Sequence, residues 1–366
     1  MTTPDGARPL TIHLQPSPDR PMVNPYLSLL VGALREQGHD VVHLGTRPFD
    51  DRSVVHVHWP EMPLHSPRTG YALKRLARTY VHVLRARRAH VPVVWTLHNL
   101  RAHDGSRPLL QRLLWQTFPR LVDGWISLSA TGVAQVEDAF PVLARAPHRV
   151  VAHGTYEPVL GRPDRAAARA RLGLDAGHAV LAAVGRIKPY KGVEDLVAAV
   201  VASPDPSLRL VVAGGCDDPG LRRTLSELAD HRVTLLLQEL PQEGVDDVLA
   251  AADLTVLPFR SVFNSGSVLL CLSAGRPVLA RRTAVFEELG AEVGPGWLRT
   301  FEGPLTPEVL HAALEARPRR GGPDLTRHRW ETVARDHADF ATGLLARRRA
   351  QPQARSLSTT SSERAR

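Results

Sequence analysis

The chain has 366 residues, of which 43% are apolar, and its formal net charge at neutral pH is +9. This length exceeds what one hydrophobic core usually serves, so two domains are expected. No apolar run approaches the ~20 residues that span a bilayer, and the first residues lack the features of a signal peptide, which predicts a cytoplasmic protein. The two cysteines predict reduced thiols in or near a core instead of a disulfide framework. The excess of basic residues favours an anionic partner.

The first half of the sequence alternates short β-branched runs with helical segments, which predicts a parallel sheet with helices on both faces. The predicted strands are residues 11–16, 40–45, 54–60, 92–100, 123–129 and 149–154. Ligands of such sheets bind at the carboxyl ends of the strands. Polar and aromatic residues occupy these ends, which predicts a cleft lined by Trp59, Glu61, His98, Asn99, His153 and Tyr156.

A passage rich in proline and glycine, residues 157–164, interrupts this alternation and predicts a linker. The alternation then resumes, with predicted strands at 178–185, 208–215, 232–238, 254–259 and 277–281. The predicted organisation is an N-terminal domain over 1–156, a linker and helix over 157–176, a C-terminal domain over 177–325, a long helix over 326–349 and a disordered tail over 350–366.

A polar elbow separates the predicted strand at 254–257 from an apolar helix that continues to residue 274. It consists of Asn264, Ser265, Gly266 and Ser267. Either serine can cap the helix, and Gly266 lets a ligand approach the backbone. The first N–H groups of a helix have no partner within it and lie at the positive end of its dipole. The elbow therefore predicts a site for an anion such as phosphate, with an ordinary serine-capped turn as the alternative.

A basic loop follows the predicted strand at 178–185. It carries Arg186, Lys188 and Lys191, and Gly192 then begins a helix. Arginine can bind phosphate oxygens bidentately and lysine adds a point charge, so the loop suits a diphosphate. A solvated basic loop is the alternative, but the anion site predicted after another strand of the same sheet favours the diphosphate.

These segments together resemble the two-domain GT-B glycosyltransferases that use nucleotide sugars, in particular the large retaining group called glycosyltransferase family four. The resemblance covers most of the chain, and the block GRIKPYKGVEDL is its most specific part. It is carried by residues 24–42, HVHWPE (56–61), TLHN (96–99), GRIKPYKGVEDL (185–196), LVVAGG (210–215) and the elbow followed by GRPV (275–278). It implies an α/β fold of two facing Rossmann-like domains with a C-terminal helix crossing back to the first.

The resemblance also implies roles for particular residues. Arg186 and Lys191 would hold the donor diphosphate, and the elbow from Asn264 to Ser267 would hold its phosphate from the other side. The loop that contains Gln238 and Leu240 would meet the nucleobase and ribose. The N-terminal domain would bind the acceptor.

One departure from the family concerns its paired glutamates, which fall here on Val262 and Leu270 when Gly275 and Pro277 are matched to its Gly-x-Pro. In the family, the first glutamate lies near the donor sugar and the second supports the ribose, so Asn264 and Ser265 are considered as substitutes. The NSGS version of the elbow is similar to that of bacterial exopolysaccharide mannosyl- and glucuronyltransferases. The departure leaves retaining and inverting stereochemistry both open.

The sequence contains no Asp-x-Asp motif, which predicts transfer without a metal or other cofactor. The charge that develops on the departing nucleoside diphosphate would instead be offset by Arg186, Lys191 and backbone N–H groups. An inverting reaction would also need a base, expected from the N-terminal domain. The candidates are His98, Asp104, Glu61 and His153, each of which has a structural role as its alternative.

A basic segment over 71–90 predicts a helix that carries both leucines and arginines. Such a helix can lie on an anionic membrane surface, at the inner face, within reach of a polyprenyl-linked glycan. The alternative is a helix that covers the sheet and turns a solvated, arginine-rich face outward.

The resemblance thus implies a glycosyltransferase that moves a hexosyl group from a GDP- or UDP-linked sugar to a glycan or lipid-linked acceptor. In two alternatives the protein has the same fold but transfers no sugar to an acceptor. They are a catalytically inactive nucleotide-sugar-binding protein, which the missing glutamates suggest, and a nucleotide-sugar isomerase. Nucleic acid is not expected as a partner, because no zinc-ligand spacing, RNA-binding aromatic pattern or basic recognition helix accompanies the charge.

Overall fold

The computed structural model describes residues 8–19, 24–100, 107–264, 266–318 and 320–362, with side chains described as far as residue 350. The chain divides into two compact units. Unit 1 comprises Met1–Gly154 with Arg327–Arg366, and unit 2 comprises Thr155–Thr326. Each unit is built on one six-stranded sheet in which every paired strand is parallel. The predicted α/β class with two Rossmann-like domains is therefore confirmed.

The strands of unit 1 follow the order β2-β1-β3-β4-β5-β6 and those of unit 2 the order β12-β11-β10-β7-β8-β9. Strand order reverses between β1 and β3 in the first sheet and between β7 and β10 in the second. These two switch points are where parallel α/β sheets bind ligands. The strands are β1 (Thr11–Gln15), β2 (Asp40–His43), β3 (Ser53–Val57), β4 (Val93–Thr96), β5 (Gly124–Ser127), β6 (His148–Val150), β7 (Ala179–Val184), β8 (Leu208–Ala213), β9 (Val233–Leu236), β10 (Leu254–Leu257), β11 (Val278–Arg281) and β12 (Leu298–Phe301).

Helices connect the strands and cover both faces of each sheet. Among the helices that the structure describes, none combines the length and apolar character needed to cross a membrane. The helices are α1 (Tyr26–Glu36), α2 (Thr69–Arg88), α3 (Pro108–Thr117), α4 (Ala130–Ala139), α5 (Arg165–Arg171), α6 (Val193–Ala202), α7 (Pro219–Leu228), α8 (Gln242–Ala251), α9 (Gly266–Ser273), α10 (Ala284–Glu292), α11 (Pro307–Glu315) and α12 (Trp330–Ser362).

The C-terminal helix α12 belongs to unit 1, where it packs beside α1. Its buried residues Trp330 and Val333 share one apolar core with Leu30 of α1 and Leu14 of β1. The sequence predicts this helix to end at residue 349, but the structure continues it to Ser362.

Strand β12 is absent from the sequence prediction. It has only four residues, and its two central ones, Arg299 and Thr300, are not buried. It pairs with β11 at the edge of the sheet, so it does not show the continuous apolar run that marks a central parallel strand. By contrast, β7 and β8 lie inside the sheet, and their residues are almost all buried.

Candidate active site

The carboxyl ends of β7 and β10 bring three residues of unit 2 together at the switch point. Gly185 follows β7 with a φ of +105°, a conformation that favours glycine. A Cβ atom at this position would lie 3.1 Å from Ser267 Oγ and 3.4 Å from Lys191 Nζ. Gly185 therefore leaves open the space that the serine hydroxyl and the lysine ammonium share. We call Gly185, Lys191 and Ser267 the anion seat.

Lys191 is the cation of this seat, and its side chain is buried. Its Nζ atom lies 3.5 Å from Ser267 Oγ and 5.0 Å from the centre of the Phe259 ring. Burial, together with the smaller effect of the nearby Arg186 charge, lowers the pKa of Lys191 to about 8. Within the part of the chain that the structure describes, no carboxylate forms an ion pair with Lys191. A buried cation without a counter-charge is a position that an anionic ligand would stabilise.

The other wall of the seat is the amino end of α9, which begins at Gly266 and has Ser267 in its first turn. This first turn contains no acidic residue. The neighbouring helix α6 differs, because Glu194 and Asp195 occupy its first turn and pair with Arg260 at 2.7 and 3.0 Å. The positive end of α6 is therefore matched by carboxylates of the chain itself, whereas that of α9 faces Lys191. An anion between them would meet N–H dipoles on one side and an ammonium on the other.

The basic loop that the sequence predicts as a single diphosphate-binding group is divided in the structure. Lys191 lies in the seat, but Arg186 is bound to the carboxylates of Asp217, at 3.2 Å, and of Glu239. Lys188 also pairs with Asp217, at 3.3 Å. Sequence reasoning missed both acids. Asp217 and Glu239 follow the ends of β8 and β9, so the rule that strand ends meet at one edge of a sheet could have found them.

The residues that flank the elbow have different surroundings. Val262 and Leu270, which replace the family's glutamates, pack against an apolar core of unit 2. Asn264 is half-buried and lies two positions before the first residue of α9, while Ser265 lies outside the described residues.

The residues predicted to meet the nucleobase, Gln238 and Leu240, lie in the loop after β9. Gln238 is exposed, and Leu240 is half-buried against the apolar core of the unit. Both are at the carboxyl edge of the sheet, as is the seat, but two strands away from β7.

A separate cavity of about 380 Å³ in unit 2 is lined by Asp246, Ser273 and Arg276, among other residues. It lies at the end of α9 that leads into β11 and therefore at the amino edge of the sheet. Ligands of parallel sheets bind at the opposite edge, so this cavity is not the site.

In unit 1, polar residues gather at the carboxyl ends of β3 and β4. His58 Nδ1 and His98 Nε2 share a hydrogen bond of 2.9 Å, and the ring of Trp59 stacks on that of His98 with centres 4.2 Å apart. The Glu61 side chain is 2% exposed and accepts a hydrogen bond of 3.2 Å from Asn99 Nδ2. The structure thus brings Glu61 and His98 together, as the sequence predicts. His58 is an additional member that sequence reasoning missed.

Histidines of this cluster are held in the neutral form. Burial lowers the pKa of His58 and His98 well below the usual value, and each is further disfavoured as a cation by neighbouring histidines. Burial likewise lowers the pKa of His153 to about 4. His153 Nδ1 donates to Gly154 O, and its own carbonyl accepts from His328 Nδ1, both at 2.8 Å. These contacts give His153 a structural role.

Two other predictions about the site have different outcomes. Asp104 lies outside the described residues. The expected absence of a metal stays a prediction, although no group of three or more His, Cys, Asp or Glu in the described ranges is arranged to hold a metal ion.

The sequence and the fold of the chain are similar to those of known glycosyltransferases. The sequence profile of a family described as glycosyl transferases group 1 matches residues 178–301. A GDP-mannose:glycolipid 4-beta-D-mannosyltransferase from Xanthomonas campestris pv. campestris is 31% identical over 324 residues, which are 86% of each protein. Sucrose-phosphate synthase from Thermosynechococcus elongatus has a similar structure, with a TM-score of 0.59 at 17% identity over 96% of this chain and 100% of that one. Anabaena HepE with UDP-glucose gives a TM-score of 0.56 at 17% identity over 95% of this chain and 100% of that one.

Proposed function

Because the chain belongs to the GT-B glycosyltransferases that use nucleotide sugars, we propose that it transfers mannose from GDP-mannose to a glycolipid. The donor and the acceptor class are those in the name of the Xanthomonas relative, which is similar along 86% of its length. The elbow is similar to that of bacterial exopolysaccharide mannosyl- and glucuronyltransferases, a group that includes enzymes for the same sugar. We place the reaction in the assembly of a lipid-linked glycan, at the inner face of the membrane.

The observation that carries this proposal is the buried ammonium of Lys191, which faces the amino end of α9 across the switch point of unit 2. A nucleoside diphosphate bound there would receive hydrogen bonds from Lys191, from Ser267 and from backbone N–H groups of α9. These donors are already in position before the reaction. They would stabilise the negative charge that grows on the diphosphate as the bond to the sugar breaks, which is commonly the largest contribution to such catalysis.

Arg186 would join the diphosphate by exchanging its present partners. Its guanidinium is about half exposed and is shared between Asp217 and Glu239. Surface ion pairs of this kind contribute only about 0–1 kcal/mol, so a dianionic ligand can replace them. Asn264 and Ser265 would then contact the donor sugar or ribose in place of the absent glutamates, and the loop of Gln238 and Leu240 would contact the base.

The acceptor hydroxyl needs a base if the reaction inverts, and we propose Glu61. Its carboxylate lies at the carboxyl end of β3, next to the switch point of unit 1, where Asn99 orients it. His98 fits this role less well, because its lowered pKa makes its protonated form unfavourable. His153 is held by backbone groups on both sides. Asp104 keeps its place as a candidate from the sequence.

A membrane surface is proposed for unit 1 on the basis of its exposed apolar side chains. Leu73, Val81 and Leu84 project from α2, and Leu109 and Leu113 from α3, with Leu109 80% exposed. Basic residues accompany them along α2, and each one near an anionic bilayer contributes about 1 kcal/mol of attraction. Vesicle flotation that does not depend on the content of anionic lipid would contradict this surface.

The donor proposal is tested with a panel of GDP-, UDP- and other nucleotide sugars added to the intact protein. We expect GDP-mannose to raise the melting temperature most, because a ligand that binds only the folded state stabilises it. Release of GDP in the presence of a lipid-linked glycan would then demonstrate transfer, and it should persist in a chelator because no metal is expected. Binding of GDP-mannose without release of GDP in the presence of any such acceptor would contradict the proposed activity.

A further inference from the structure

Unit 1 contains a basic cavity between α2 and the carboxyl ends of β1 and β2. Its volume is about 560 Å³, and its lining includes Gln15 from β1, His43 from β2 and residues of α2 between Tyr71 and His82. Three cations, Lys74, Arg75 and Arg78, project into its wall from successive turns of α2. None of these residues belongs to the anion seat in unit 2 or to the Glu61 and His98 cluster.

The three cations of this cavity have no counter-charge within the chain that the structure describes. No carboxylate forms an ion pair with Lys74, Arg75 or Arg78 in these ranges. Some other arginines of unit 1 are paired, among them Arg87 on the same helix, which binds Asp123 at 3.2 Å. Asp19, whose charge reaches His43, is itself paired with Arg35 at 3.5 Å.

Several of the groups that line the cavity are held in fixed positions. The Arg75 guanidinium lies 5.6 Å from the centre of the Tyr71 ring, and Arg78 Nε donates to His82 Nε2 at 3.4 Å. The His82 ring packs so closely on Gly45 that a Cβ there would lie 2.3 Å from it.

The pKa values of both histidines report the same positive surroundings. Burial lowers the pKa of His43 and of His82, and the charge of Arg78 lowers both further. An uncompensated group of cations beside neutral imidazoles is the arrangement that binds a phosphate, since arginine donates in pairs to its oxygens.

The cavity shares a wall with the cluster at the ends of β3 and β4. Gln15 lines the cavity, and its backbone carbonyl accepts a hydrogen bond of 2.9 Å from the N–H of His58. His58 in turn is bonded to His98. A ligand in the cavity would therefore lie one strand away from the residues that we place around the acceptor hydroxyl.

We propose that this cavity binds the phosphate or diphosphate that links the acceptor's glycan to its lipid, with Lys74, Arg75 and Arg78 as its ligands. This inference rests on the proposed function, because it specifies the anionic group of the same acceptor. The exposed leucines of α2 and α3 would then lie beside the lipid that follows the phosphate.

The test uses inorganic pyrophosphate and isothermal titration calorimetry on the full chain. Because pyrophosphate would also bind the anion seat, the titration is made in a Lys191→Met background, which leaves only the cavity. We expect binding to persist there and to weaken about tenfold or more when Lys74→Gln and Arg78→Gln are added. Arg145→Gln, which removes an exposed charge from the opposite edge of the same sheet, should leave the affinity unchanged.

The outcomes separate this proposal from the proposed function. Loss of all pyrophosphate binding in the Lys191→Met variant alone would contradict the phosphate site proposed in the cavity, but it would not contradict the proposed donor site. Binding to the cavity without any GDP-mannose binding in the unaltered chain would overturn the proposed function instead.

A second measurement distinguishes the acceptor from a membrane headgroup. The Lys74→Gln and Arg78→Gln variant should raise the KM for a diphosphate-linked acceptor presented in neutral detergent, while its KM for GDP-mannose stays unchanged. If the variant instead loses only its binding to phosphatidylglycerol vesicles and keeps the KM for that acceptor, the cavity serves lipid headgroups and the assignment to the acceptor is wrong.

Discussion

Lys191 and Ser267 lie on different crossovers of the unit 2 sheet, yet their Nζ and Oγ atoms are 3.5 Å apart. Lys191 follows β7, and Ser267 lies in the first turn of α9, which follows β10. These two strands are neighbours although their last residues, Val184 and Leu257, are 73 positions apart. The reversal of strand order at this point sends the two connections to opposite faces and leaves a gap between them. The anion seat therefore follows from the order of the strands, with glycine at position 185 to keep it open.

Lys191→Met should weaken donor binding more than any other single change in the basic loop. Methionine keeps most of the apolar stem but removes the charge, and hydrogen bonds to charged groups contribute about 1.5–3 kcal/mol. We expect the Kd for GDP-mannose to rise about 10- to 100-fold. Lys188→Met is the matched control, since Lys188 is paired with Asp217 outside the seat. An equal rise in the Kd for GDP-mannose in both variants would contradict the proposal that the anion seat binds the donor.

Donor affinity should depend on pH through the same lysine. The pKa of Lys191 in the free protein is about 8, and an anionic ligand binds only its protonated form well. Raising the pH above 8 therefore removes the binding charge, and affinity should fall by up to about tenfold per pH unit. Lys191→Arg should abolish this dependence between pH 7 and 9.5, because arginine stays protonated. The measurement is calorimetric titration with GDP-mannose at each pH.

The residues of the site that could be predicted from the sequence are those that directly follow a predicted strand. Gly185, Lys191 and Ser267 could be found because each follows a strand with a strong apolar pattern, and strand ends of a parallel sheet converge. The same rule places Asp217 and Glu239 at this edge of the sheet, but it does not assign them as the partners of Arg186. Its carboxylates come from two other strand ends, and nothing in the sequence decides between a bound diphosphate and an internal ion pair.

The strand-end cluster of unit 1 shows the same limit. His56 and His58 alternate along β3 and its end, which places both on one face of the sheet. Their partners, Thr96 and His98, are 40 residues further along, on the neighbouring β4. The parallel register pairs His56 with Val94, and each histidine reaches the side chain two residues beyond its own paired position. Neither strand's sequence alone determines this register. The sequence therefore indicated a polar edge but not the bond between two neutral imidazoles.

Glu61→Gln should stop transfer and leave donor binding unchanged. Glutamine has nearly the same shape and keeps an oxygen that can accept from Asn99, but it cannot take the acceptor proton. General bases commonly contribute 10²- to 10⁴-fold, and kcat should fall by about this factor. The control is the Kd for GDP-mannose, which should not change. A kcat that stays within about twofold would assign the base to another residue, and His98→Asn is then the next variant.

Acid should destabilise unit 1 before unit 2, because buried neutral histidines concentrate in unit 1. Burial lowers the pKa of both His153 and His337 to about 4, while the same side chains in the unfolded chain titrate near 6.5. Between these values the unfolded state binds more protons, so the stability of the unit is fully present above pH 6.5 and falls as the pH decreases. Each such histidine contributes up to about 1.4 kcal/mol per pH unit.

Tryptophan fluorescence during urea unfolding measures this loss, since five of the six tryptophans are in unit 1 and only Trp297 is in unit 2. The free energy of unfolding should decrease steadily from pH 7 to pH 5. His337→Phe keeps an aromatic ring at this buried position of α12 but cannot bind a proton. The slope of the free energy of unfolding against pH should therefore become shallower by about one histidine's contribution. This expectation does not depend on the variant's stability at pH 7. A slope equal to that of the unaltered chain would mean that His337 is not neutral in the folded unit.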